Sequence, residues 1–106
     1  MIAINIYRNS GGAITGYNIS GHANTAPHGQ DIVCAGVAAL SQTAVLGLER
    51  HLQRSIQLDV ASGKLIVELA DEPDALTEAI LESMVLGLTE IVKLYPKSVR
   101  ISEHRR

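Results

Sequence analysis

Residues 2–7 alternate Ile2, Ile4 and Ile6 with Ala3, Asn5 and Tyr7, the period-two pattern of a strand with one buried face. Asn9-Ser10-Gly11-Gly12 marks a turn, and Ala13 to Ser20, with Ile14, Tyr17 and Ile19, resumes extended character, weakened at Gly16. A hairpin is expected. From Gly21 to Gln30 the periodicity stops, and two Gly, a Pro and two His mark a loop longer than an ordinary connection. Asp31 can then cap a helix whose stripe Val33, Val37, Leu40, Ala44 and Leu48 runs to about His51. Its first three turns are apolar nearly all round, which predicts a central and largely buried helix.

Ser55 to Ala61 alternates again, Ser62-Gly63 turns, and Leu65 to Leu69 completes a second hairpin. Asp71-Glu72-Pro73-Asp74 supplies a cap, an early-helix proline and acids where the helix dipole favours them. The stripe Leu76, Ile80, Met84, Leu88 and Ile91 extends that helix to about Leu94, where Tyr95-Pro96 ends it, and Val99–Ser102 can form a short final strand. The pattern predicts an α+β fold: a mainly antiparallel sheet from two hairpins plus a short C-terminal strand, packed against two long helices. Gly47 and Gly87 interrupt these helices, each within Leu-Gly-Leu. They are either tolerated or sites of close helix approach.

At 106 residues the chain has room for one domain, residues 1–106. With 46% apolar and 19% charged residues it is too aliphatic for disorder, while no apolar run is expected to approach the roughly 20 residues of a membrane span. Nine Lys and Arg against 11 Asp and Glu leave a net charge of −2, and the three aromatics are all Tyr. Neither a basic field nor base-stacking platforms are provided, so no direct nucleic-acid partner and no membrane partner are expected. The residues after Met1 show no basic region followed by a long apolar stretch, and the expected location is cytoplasmic.

The single cysteine, Cys34, has no partner for an intramolecular disulfide, so any chemistry it performs is that of a thiol. If Asp31 is the cap, Cys34 lies in the first helical turn, where unpaired N–H groups favour thiolate. His22 stands just beyond the second strand, and the loop Ala23, Asn24, Thr25, Ala26, Pro27, His28, Gly29 and Gln30 lets the chain fold back so that its imidazole can take the thiol proton. The alternative is an inert core cysteine beside a solvated histidine. Metal binding by His22, His28 and Cys34 matches no common zinc spacing, and neither metal nor cofactor is expected.

Gly21-His22-Ala23, followed by Gly29-x-Asp31-Ile32-Val33-Cys34-Ala35-Gly36-Val37, resembles the signature of the ribosomal-processing cysteine protease family, Prp. The resemblance implies a homodimeric endopeptidase that removes a short N-terminal extension from a large-subunit bacterial ribosomal protein. It implies Cys34 as nucleophile and His22 as general base and acid. Asp31 is either an orienting third member or a helix cap. Ala38 departs from the pattern, standing where Ser is expected in many relatives. The competing function is a non-catalytic ribosome-associated binding module with a structural Cys34.

Residues 23–30 hold little apolar surface and are expected to act as a substrate loop that orders over bound peptide. His28, His51 and His104 are expected to be solvated. The seven acids between Glu68 and Glu90 form either a solvated face or a surface for a basic ribosomal protein. The basic residues 97–106 are expected to be a frayed tail or a weak ribosome contact.

Overall fold

The structure, a computed structural model, describes residues 1–22 and 31–106. The elements follow the order β1 (Ile2–Arg8), β2 (Ile14–Ser20), α1 (Ile32–Leu46), a π-helical turn (Gly47–His51), β3 (Ile56–Ala61), β4 (Lys64–Leu69), α2 (Ala75–Leu94) and β5 (Val99–Arg105). The strands form one sheet in the order β3-β4-β2-β1-β5. Both hairpins pair antiparallel, β2 joins β4 antiparallel, and β5 lies parallel to β1 with Ile2 opposite Val99 and Arg8 opposite Arg105. The sheet is therefore mixed.

Alternation along β1 puts Ile2, Ile4 and Ile6 beneath the helices, where they meet Ile14, Tyr17, Val67 and Val99 from the other strands. The helices contribute Val33, Val37, Ala44, Val45 and Leu48 from the first helical segment and Leu81, Met84 and Leu88 from α2. Burying a residue such as Leu81 or Leu88, both fully enclosed, contributes about 2 kcal/mol against leaving it in water. Tyr17, also enclosed, donates its hydroxyl to the Ser41 carbonyl at 2.8 Å, which satisfies its polar end and ties β2 to the middle of α1. Where α1 and α2 cross, a Cβ on Gly87 would lie 2.9 Å from Leu40 Cδ1 and one on Gly47 3.0 Å from Ile80 Cδ1. The two Leu-Gly-Leu sites are thus points of close helix approach.

Three expectations are corrected. Helix α1 buries one stripe rather than its whole circumference: Val33, Val37, Ser41, Ala44 and Val45 face inward, whereas Ile32 is 68% exposed. The segment Ile32–His51, 20 residues long, does reach the length and composition of a membrane span, with a mean hydropathy of 1.6 over an 18-residue window. Its buried stripe, however, serves this sheet. The C-terminal residues are a strand rather than a frayed tail, because β5 gains a full parallel register on β1 and Arg8 holds Glu103 and Glu82 at 2.8 and 2.7 Å. The Arg8 guanidinium also keeps the Glu82 carboxyl below the usual carboxylate range. His104 is exposed, as expected, and in addition stacks on Tyr7 with centroids 5.1 Å apart and shares a 2.8 Å hydrogen bond with Asn5 Oδ1.

The acids between 68 and 90 largely have partners within the fold. Asp74 caps α2 through the N–H groups of Leu76 and Thr77 and pairs with Arg54. Glu78 accepts from the Ile14 N–H, Glu82 pairs with Arg8 and Glu68 with Arg106. Dipole, cap and strand-end demands thus account for most of these carboxylates.

Candidate active site

Asp31 ends the non-helical backbone before α1, and its Oδ1 accepts the N–H of Cys34 at 3.0 Å. The helix-cap alternative for Asp31 is what the geometry displays. This bond anchors the first turn, and with it the Cys34 backbone, at the helix end whose dipole favours negative charge on the sulfur. Cys34 is half-buried and reaches a cavity of about 180 Å³ between α1 and the sheet.

His22 lines the same cavity, so the two residues that the sequence separates by a loop are brought to one space. Three contacts hold it there. The Gly21 N–H donates to the Gly63 carbonyl at 2.9 Å, which ties the end of β2 to the turn between β3 and β4. The Met1 ammonium donates to the His22 carbonyl at 2.6 Å. The imidazole lies over Gly63, where an added Cβ would stand 2.8 Å from Nε2. Gly21 itself has φ +92° and faces the Met1 carbonyl so closely that a Cβ would fall 2.3 Å from the oxygen. Only glycine can make this bend.

Gly63, Lys64 and Leu65, together with Val60 and Ala61, complete the wall opposite α1. In sequence Ser62-Gly63 is only a turn, because the pairing of Ser20 with Lys64 that carries the second hairpin to the site is a long-range register with no local signature. Ser41 also lines the cavity, but its hydroxyl bonds back to the Val37 carbonyl at 2.7 Å and so stays within the helix. Ala38 faces the cavity with a methyl group in place of the expected hydroxyl. The substrate loop, 23–30, lies outside the described residues.

A thiol on the first turn of a helix, sharing a cavity with an imidazole, has the parts of a thiol hydrolase: a nucleophile, a proton carrier and oriented N–H dipoles. The comparisons assign the class. The model of the family described as cysteine protease Prp matches residues 1–100, and the chain belongs to that family, whose members are cysteine peptidases. It is similar to the ribosomal processing cysteine protease Prp of Staphylococcus aureus, at 30% identity over 96% of this chain and 98% of that protein. Similarity to the Bacillus subtilis protein of the same name is 32% identity over 96% of each chain. Its fold superposes with a TM-score of 0.92 on the S. aureus Prp crystal structure with a covalently linked product peptide, at 25% identity over 98% of this chain and 100% of that one.

Proposed function

We propose that this protein is an endopeptidase that removes a short N-terminal extension from a large-subunit ribosomal protein in the bacterial cytoplasm, with Cys34 as nucleophile and His22 as general base and acid. The observation that carries the roles is that Cys34 and His22 line one cavity, held there by the Asp31 cap and by the Gly63 turn. The ribosomal substrate is supported by the names of the relatives, which are ribosomal processing proteases.

In the proposed reaction His22 takes the Cys34 proton and the thiolate sulfur adds to the substrate carbonyl carbon. The C–N bond then breaks as His22 returns the proton to the departing amine. Water, deprotonated by His22, attacks the thioester and releases Cys34. This reading assigns the oxyanion to backbone N–H groups around Cys34 at the start of α1, where the Asp31 cap fixes the first turn.

Incubated with the ribosomal protein in its extended form, the protein is expected to cut a single bond near the substrate's N-terminus, read by intact-mass spectrometry. An intact substrate, or cuts scattered along it, would refute the assignment and favour the binding-module alternative.

A homodimer is part of the same proposal. It is supported by an apolar groove of about 560 Å³ on the outer side of the helices, lined by Ala39, Leu40, Thr43, Gly47, Ala79 and Ile80, a surface that a second copy would cover. Sedimentation at assay concentrations should return twice the 11.3 kDa chain mass, and a monomer mass at all concentrations would exclude it.

A further inference from the structure

The two edges of the sheet are built differently. Edge strand β5 presents Arg100, Glu103 and Arg105, the charged residues that keep an edge from pairing with another chain. Edge strand β3 carries Ile56, Leu58 and Val60 with one charge, Asp59, which Lys64 pairs at 2.9 Å. Leu58 and Val60 are 42% and 62% exposed, although alternation directs them to the side of the sheet on which the helices lie.

The ladder shows which backbone groups this edge offers. The Ala70 N–H donates to the Ser55 carbonyl at 3.1 Å, so Ser55 and Ala70 are a hydrogen-bonded pair. The register then makes 57/68, 59/66 and 61/64 bonded pairs and 56/69, 58/67 and 60/65 non-bonded ones. The N–H and C=O groups of Leu58 and Val60 therefore point away from β4, along the open edge.

Beside these groups a groove of about 300 Å³ runs between β3 and the first helical segment, lined mainly by Val45, Leu46, Leu58, Val60 and Leu65, with Gln42 and Glu49 also on its lining. It shares Gln42, Val60 and Leu65 with the cavity of Cys34 and His22, so edge and cavity are continuous. We propose that the substrate binds as an added strand on β3: its backbone pairs with Leu58 and Val60, and its alternate apolar side chains enter the groove between β3 and α1. The occupant is an extended apolar segment on one side of the scissile bond, which the edge delivers to the cavity. The inference rests on the peptidase reading above and adds its specificity determinant. Main-chain pairing supplies register, and the groove selects apolar residues two apart.

The test uses a synthetic peptide spanning the N-terminal extension of the ribosomal protein and the first residues of its mature chain. In the Cys34→Ala protein, saturating peptide should slow amide exchange at Leu58 and Val60 at least about tenfold, with smaller changes at Gln57, Asp59 and Ala61, whose N–H groups already serve β4. Val60→Pro removes one outward N–H and no bond to β4, so the strand should persist while kcat/KM for the peptide falls about tenfold, chiefly through KM. Unchanged exchange at Leu58 and Val60 in the presence of peptide would overturn the proposal. So would a Val60→Pro enzyme with wild-type kcat/KM, including one whose only change is a shift from dimer to monomer, which would give this edge to a second copy. Failure of the wild-type protein to cleave, with exchange protection retained, would instead refute the peptidase reading and leave the groove standing.

Discussion

Replacing Cys34 with alanine is expected to lower kcat/KM for the extended ribosomal protein at least about a thousandfold while leaving the melting temperature close to that of the native chain. Cys34 is only half-buried, and the substitution removes one sulfur from a small side chain. The Asp31 bond, moreover, is to the Cys34 N–H, which alanine retains. His22→Ala should cause a loss of the same order, because a nucleophile and its base fail as a unit rather than additively. The pair is separated from two independent defects by the double variant, which should be no slower than either single one. Alkylation of the native thiol by iodoacetamide supplies the complementary measurement: its rate near neutral pH should fall in His22→Ala, since the group that takes the thiol proton is gone. Wild-type turnover in either single variant, with purity shown by mass spectrometry, would end the proposed chemistry.

Much of the fold was legible because period-two and helical patterns are local and each element here obeys one of them. Both hairpins, the Asp31 cap and the helix ends near His51 and Leu94 follow from residues a few positions apart, whereas the two Leu-Gly-Leu sites left open whether the helices meet there. Features set by long-range pairing escaped. That β4 inserts beside β2, and that β5 crosses to lie parallel to β1, depends on which strand edges meet after the helices pack, and an alternating strand carries the same pattern in either arrangement.

The candidate site divides in the same way. Cys34, His22 and Asp31 stand in two short motifs, and the chemistry of a thiol, an imidazole and a helix start can be reasoned from residue type. Gly63 could not be singled out, because Ser62-Gly63 reads as an ordinary two-residue turn until its contact with the imidazole is seen. The breadth of apolar surface on α1 misled for a related reason: Ile32 and Leu46 look like core in sequence, yet both lie exposed. An apolar residue is not bound to be inside.

Gly63 therefore offers a direct test of how the site is held. Gly63→Ala would place a methyl group 2.8 Å from His22 Nε2, and the backbone there, at φ +69°, is one that alanine adopts only with strain. The ring is at the surface end of an exposed residue, so the substitution should displace the imidazole rather than unfold the sheet. A shift of about 1 Å in a catalytic group costs on the order of a hundredfold in rate, and the loss should appear in kcat with KM little changed. The strain should lower the melting temperature modestly, as it would at any turn, so stability alone does not identify the role. Two readouts do: the His22 ring resonances in the NMR spectrum should move, and the rate of Cys34 alkylation near neutral pH should fall toward that of His22→Ala. Ser62→Ala, in the same turn but one residue removed from the imidazole contact, should alter neither. If Gly63→Ala kept native kcat and an unchanged alkylation rate, the turn would be a strand connection only, and His22 would have to be positioned by Gly21 and the Met1 ammonium alone.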